Sequence, residues 1–303
     1  MSTETRIKRA DVEKMTIAQI VDDDRVKNRF VELYNARTGS SSGVAFYALT
    51  IESFIRAIQE DANLSQCTPM SLYSAFLDMA YYGINVTKSS KPQAYLLWNN
   101  VNVGTAVAKN YQKRARLEIS PYGELFIRQS MGQIKHADNP VVVHEGDEYS
   151  GVYYKNGAKT VDYKPAKVKS NKIIAAFMRI ERVDGSVDYA EITLDRMNQL
   201  AGYSERKNKQ GNPNGSANAL YSSNSGQPDE GFLVAKLIKH AFSTYPRAPK
   251  NPNLQATFTT EKEDAAEDVY GVDEETGEVT NGPVVEECEA EDVTTPIQAN
   301  ETF

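Results

Sequence analysis

Cysteine, histidine and long apolar runs are all scarce in this chain. Only two of its 303 residues are cysteine, Cys67 and Cys288, far apart and in unlike surroundings. They suit a reducing compartment and point to neither a disulfide framework nor a zinc site. No apolar run approaches the roughly 18 residues that a membrane span needs. The opening stretch, MSTETRIKRADVEK, lacks the apolar core of a secretory signal, so a cytoplasmic location without membrane association is expected. The three histidines, His136, His144 and His240, come with no HxxxH or CxxC spacing. GxxxxGK[ST] and GxGxxG are both missing, so neither an ATP nor a dinucleotide site is expected and no cofactor is implied. No Ser-His-Asp or Cys-His arrangement can be argued from spacing.

Positive charge is nearly absent from the C-terminal end. Asn251–Phe303 holds one basic residue, Lys262, against 15 Asp and Glu. The whole-chain charge of −7, from 34 basic and 41 acidic residues, conceals this. What remains in Met1–Lys250 is 33 basic and 26 acidic residues, a net of +7. A basic body joined to an acidic tail suits a polyanionic partner for the body. The tail, low in aromatics, reads as disordered, with a regulatory, partner-binding or solubilising role.

The body alternates helical and strand patterns. A helix is expected over Ala18–Tyr34, then a flexible break at Thr38–Gly43, then a helix over Leu49–Ile58. Thr68 caps a stronger helix with Pro69 at its first position and Gly83 at its end. Its stripe of Tyr73, Phe76, Leu77, Ala80 and Tyr81 reads as core rather than as a base-stacking platform. Ala94–Trp98 is a short strand, Asn99–Gly104 a loop, and Leu117–Ile119 a strand that runs into a helix capped by Ser120 and opened by Pro121. Gly146-Asp147 marks a turn between strands Val141–His144 and Glu148–Tyr154. Asp184-Gly185 joins Ile173–Val183 to Val187–Thr193 as a hairpin. Thr193 caps a helix ending near Gly202, a long loop spans Glu205–Glu230, and the last helix covers Phe232–Tyr245. The fold class is therefore α+β: antiparallel hairpins packed with helices in one core, plus a disordered acidic tail. The expected divisions are 1–43, an N-terminal helical or oligomerisation segment, 44–250, the core that would meet the polyanion, and 251–303, the disordered acidic tail.

Basic residues are the main chemical signal. They cluster at Lys109, Lys113, Arg114 and Arg116; at Lys155 to Lys172, which includes Lys164, Lys167, Lys169 and Lys172; at Arg206, Lys207 and Lys209; and at Lys236, Lys239 and His240. Each cluster alone also suits a solvated face. Together, cations from separate segments can line a groove that follows a phosphate backbone. The basic strand leading into the helix at Pro121 gathers cations beside unpaired backbone N–H groups, an anion-binding arrangement, although a solvated strand edge reads the same way. Glu145, Asp147 and Glu148 near His144 suit a metal site or, preferably, a polar turn.

The order of several motifs resembles the RecT family of phage and prophage single-strand annealing proteins. Cys67-Thr-Pro-Met-Ser71 and the helix ending at Tyr82-Gly83 are similar to its first core helix, and Ala94-Tyr-Leu-Leu97 to its AYLL strand. Ser120-Pro-Tyr122-Gly-Glu-Leu125 stands at its Gly-Tyr-basic-Gly turn. Gly132-Gln133-Ile134 and Glu145-Gly146-Asp147-Glu148-Tyr149 match its GQI and EGDEF segments. Ile238, Lys239, His240, Phe242 and Pro246 fall into its basic last helix. Pro121 stands where the family has glycine, and Val234 and Ala235 where it has lysines. The resemblance covers about Ser65 to Pro246.

The resemblance implies an α+β core that binds single-stranded DNA in a basic groove and anneals complementary strands without ATP in phage-type recombination. It implies homo-oligomers in the form of rings or helical filaments, an annealed duplex intermediate, and work beside a phage exonuclease or a host single-strand-binding protein, for which the tail is a docking segment. Tyr122, Arg128 and Lys135 complete the DNA-binding candidates, and no catalytic or metal residue is expected. Two rivals stand beside it: a metal-dependent nuclease built on Glu145, Asp147 and Glu148, and a phage structural or assembly protein with a basic protein-binding face.

Overall fold

The structure, a computed structural model, describes residues 7–105, 108–211 and 213–245, apart from the side chains of residues 207, 210 and 211. The acidic tail, expected to be disordered, lies outside the described residues.

Helices α1 (Arg9–Val12), α2 (Ile17–Asp22), α3 (Asp24–Thr38), α4 (Gly43–Glu60) and α5 (Pro69–Tyr82) come first. The helix expected over Ala18–Tyr34 is thus two helices. The carboxylate of Asp23 accepts the Arg25 N–H at 2.8 Å and holds the Arg25 guanidinium, so it caps α3 and interrupts the run. An aspartate that finds a backbone N–H to cap favours a helix start over a helix interior. The break expected at Thr38–Gly43 is a tight corner. Gly39 ends α3 at φ +69°, and Asn35 Oδ1 accepts the Gly43 N–H at 2.8 Å.

On α5 the expected caps are in place. Thr68 accepts the Ser71 N–H, Pro69 opens the helix and Gly83 closes it at φ +64°. Its stripe is core: Phe76 is wholly buried, with Phe30, Tyr47 and Phe54 around its ring at 4.8–5.9 Å between centroids. Helices from the first 43 residues share this core with α4 and α5.

Strands β1 (Ala94–Asn102) and β2 (Tyr111–Ile119) form a long antiparallel hairpin. Both outrun their sequence signals. Asn99–Asn102, expected as loop, pairs with Tyr111–Arg114. Asn102 Oδ1 accepts the N–H groups of Gly104 and Asn110, both at 3.0 Å, which closes the hairpin end. Helix α6 (Pro121–Ser130) comes next, capped by Ser120 as expected.

Eight further strands are β3 (Ile134–Ala137), β4 (Val141–His144), β5 (Glu148–Tyr149), β6 (Tyr153–Lys155), β7 (Ala158–Thr160), β8 (Tyr163–Lys164), β9 (Ile173–Arg182) and β10 (Val187–Thr193). Strand β9 is central, with β10 on one side and both β3 and β4 along the other. Its run IIAAFM is buried on both faces, which accounts for the missing alternation. The Asp184-Gly185 hairpin forms as expected. The turn expected at Gly146-Asp147 forms, with the Asp147 N–H donating to the His144 carbonyl at 3.1 Å, but the strands it joins do not pair with each other: β4 pairs with β9 and β5 with β8. The apolar residues Val141–Val143 find a longer, buried partner in β9. Asn156-Gly157, both at positive φ, turns the unforeseen hairpin β6–β7.

Helix α7 (Leu194–Gly211) runs nine residues past its expected end, through Arg206 and Lys209. Helix α8 (Glu230–Ala241) is capped by Asp229 and ends four residues earlier than expected. Both pack on one face of the β9 sheet, while Tyr149, Val161 and Tyr163 cover the other.

Candidate nucleic-acid interface

Strand β2 divides its basic residues between two faces. Lys113, Ala115, Leu117 and Ile119 alternate toward the helical core; Gln112, Arg114, Arg116 and Glu118 alternate away from it. Lys113, expected among the DNA-binding residues, is on the inner side and half-buried. Its ammonium donates to Asn63 Oδ1 at 2.7 Å and Gln66 Oε1 at 2.8 Å and lies 5.2 Å from the Trp98 ring centre, tying the hairpin to the start of α5. Trp98 itself packs against the core, as its place at the end of an apolar run suggests. Among the described residues, Arg114 and Arg116 make no ion pair, and Lys109 is exposed just before the far end of the same strand.

The helix start after β2 is held by the chain's own groups. The Ser120 N–H donates to the Gln93 carbonyl at 3.0 Å, Ser120 Oγ accepts the Gly123 N–H at 3.0 Å, and the Ser120 hydroxyl donates to the Pro92 carbonyl. Ser120 is 1 % exposed. The chain's own Pro92-Gln93 segment thus packs against the start of α6. Tyr122 is half-buried in the first turn of α6, with Lys91 Nζ 5.4 Å from its ring centre. Lys91 carries no sequence signal of its own because it sits outside the four basic clusters.

Helix α8 returns to β2 across 121 residues of sequence. Lys239 Nζ donates to Glu118 Oε1 at 2.9 Å, and His240 beside it is exposed. Lys239 is thus joined to the strand face that carries Arg114 and Arg116, with His240 next to it in sequence. Lys236, half-buried, lies 4.8 Å from the Phe232 ring centre and 5.8 Å from that of Tyr221.

Arg128, also expected among the DNA-binding residues, lies in the interior. It is 1 % exposed and bonded to Glu124 Oε2 at 2.9 Å and Gln133 Oε1 at 3.1 Å. Its guanidinium lies 5.9 Å from the Phe242 ring centre and 6.0 Å from that of Tyr245. It joins α6 to the end of α8.

Four lysines of the 155–172 segment are answered by acids that folding brings beside them. Lys159 meets Asp188, Lys164 meets Glu148, Lys169 meets Glu230 and Lys172 meets Glu145, at 2.6–3.3 Å. Lys135 likewise meets Glu181 at 2.7 Å, and Lys209 meets Glu205 at 2.5 Å. Such exposed pairs contribute only about 0–1 kcal/mol, so they do not lock the lysines away, but the local field is weaker than the lysine count suggests. Lys167 is exposed, and Arg206 lies over the Tyr203 ring at 4.6 Å on α7. Lys207 is on the same helix, its side chain outside the described residues.

The acidic turn also resolves. Asp147 Oδ1 accepts the Ala166 N–H at 2.8 Å, and Oδ2 accepts the His144 N–H at 2.9 Å and the Tyr163 hydroxyl at 3.3 Å. Glu145 and Glu148 are the partners of Lys172 and Lys164. Among the described residues, no three His, Cys, Asp or Glu side chains gather as a ligand set. The Ala166 N–H, and after it that of His144, hold the Asp147 carboxyl below the usual carboxylate range. A depressed folded-state value means the anchor is fully present above the ordinary aspartate range and is lost as pH falls through the folded value. Asp147→Ala should therefore speed amide exchange across Lys164–Lys172 at neutral pH, which the native protein shows only in acid. Equal exchange in the two proteins at neutral pH would show that Asp147 anchors nothing.

No helix among the described residues is long and apolar enough to cross a membrane. Comparison with curated proteins returns no match. The family model described as RecT family matches residues 50–224, which run from α4 through the β1–β2 hairpin and the β9 sheet to the segment before α8. With more than half of its length in that match, the chain belongs to the RecT family, whose work is DNA recombination and strand annealing.

Proposed function

We propose that this protein binds single-stranded DNA through its phosphates and anneals complementary strands without ATP, with the outward face of β2 and the last turn of α8 as the binding surface. The observation that carries this reading is the Lys239–Glu118 ion pair, which sets the basic end of α8 beside Arg114 and Arg116, two arginines free of ion pairs among the described residues. Annealing requires phosphates to be neutralised while base edges stay open for pairing, and cations on a strand face meet the first need without reading sequence. Assembly into rings or filaments and recruitment of an exonuclease or single-strand-binding protein belong to the same proposal.

The test is Arg114→Glu with Arg116→Glu. These residues suit it better than Lys239, which holds an ion pair. The variant should bind a labelled oligothymidine at least tenfold more weakly at low salt. Its log–log salt slope should shrink by about 0.7 for each phosphate no longer neutralised. Its melting curve should move little, since surface changes usually stay within about 0.5 kcal/mol. Native binding and annealing by this variant would place the DNA elsewhere.

A further inference from the structure

The described chain ends beside the proposed DNA face. Tyr245 packs on Phe242 at 5.3 Å between ring centroids, with the guanidiniums of Arg128 and Arg182 6.0 and 5.7 Å from its ring centre. His240 and Lys239 lie on the helical turn just before it, and Lys239 reaches Glu118 on β2. From Glu118 the cations Arg116 and Arg114 continue along the strand over about 13 Å, at roughly 3.3 Å per residue, and Lys109 is exposed two positions before its far end. Beyond Tyr245 the sequence continues into the acidic segment, whose first carboxylate is Glu261 and last is Glu301. Glu261 stands 16 positions beyond Tyr245, and an extended chain of that length spans up to about 55 Å. The 15 carboxylates therefore have the whole cationic track within reach.

We infer that residues 261–301 dock in cis on the face formed by Lys109, Arg114, Arg116, Lys239 and His240, and so compete with DNA for it. This rests on the assignment of that face as the DNA surface. Charge complementarity picks the occupant: the tail carries a net −14 against a body of net +7. Among the described residues, Glu118 is the only acid on the outward face of β2, and Lys239 already answers it. A tethered partner is presented at up to roughly millimolar effective concentration, so individually weak contacts suffice. The competition is electrostatic. It is strongest at low ionic strength and fades as the screening length falls to about 8 Å near physiological salt.

The experiment compares three proteins: the full chain, the full chain with every Asp and Glu between 261 and 301 changed to its amide, and a chain stopped after Lys250. Binding of labelled oligothymidine is measured across salt. The amide and shortened proteins should bind about tenfold more tightly at low salt, with the gap closing toward physiological salt. Carbodiimide cross-linking of the DNA-free full chain provides a readout independent of DNA binding. Links from tail carboxylates to Lys109 or Lys239 support docking, and excess oligothymidine should suppress them. Equal affinities at low salt together with no such links overturn the inference. Links in a protein that binds no DNA at any salt would leave the docking standing and sink the function proposed above.

Discussion

Gly123→Ala should destabilise the fold by about 3 kcal/mol or more, the upper end of what overpacking does in a rigid site. A Cβ on Gly123 would stand 2.0 Å from the Gln93 carbonyl oxygen and 3.0 Å from its carbonyl carbon. Both are backbone atoms, and the same carbonyl accepts the Ser120 N–H. It cannot yield without breaking the junction at which β2 ends and α6 begins. The glycine is there for close approach, not for an unusual φ, since it lies in the first turn of a regular helix. Gly202→Ala is the matched control. It sits within α7 with nothing inside 4 Å of its added Cβ, and alanine there should stabilise by roughly 0.5–1 kcal/mol. Denaturant melts of the two variants decide the matter, and a Gly123→Ala midpoint at or above the native one would refute the packing argument. Because the junction aligns the arginine-bearing strand, strand annealing should fall together with stability.

Arg128→Ala should cost a comparable amount, about 3–5 kcal/mol, because it removes the buried counter-charge 2.9 Å from Glu124. It also empties the space against Phe242 and Tyr245 that the guanidinium fills. Replacing both partners by apolar residues, Glu124→Leu with Arg128→Met, should recover much of the loss, since an apolar pair of similar volume leaves no charge stranded. The pattern separates two roles for this residue. A DNA contact would give an Arg128→Ala protein with a native melt and weakened binding. A structural centre gives a protein that melts early and loses binding only as it unfolds. The double variant should then bind DNA normally, and its failure to do so in a folded state would return Arg128 to the DNA surface.

Local energetics are legible in the residues themselves. Thr68, Pro69 and Gly83 bound α5, Ser120 and Pro121 open α6, and Asp184-Gly185 turns the β9–β10 hairpin, each where the pattern places it. Caps and tight turns depend on atoms within a few residues, so a short window contains their cause. The order of family motifs is legible for a similar reason, as each is a compact segment. The same window holds the cause of β6–β7, because Asn156-Gly157 is a strong hairpin signal, but the lysines around it make charge the more conspicuous feature there.

By itself, then, the sequence determined the α+β class, the basic body with its acidic end and the RecT family motifs. Tertiary structure decided which strands pair and which cations remain available. Val141–Val143 lies beside β9 because burial there outweighs pairing with β5 across the adjacent turn, and no local rule compares those two outcomes. Arg114 and Arg128 are the same residue type 14 positions apart, yet one lies on an outward strand face and the other beneath two aromatic rings. Lys113 and Arg114 are neighbours, separated only by the pleat that turns one toward Asn63 and the other away. Charge is written in the chain, but whether it meets a partner depends on residues that folding brings from tens of positions away, such as Glu118 to Lys239.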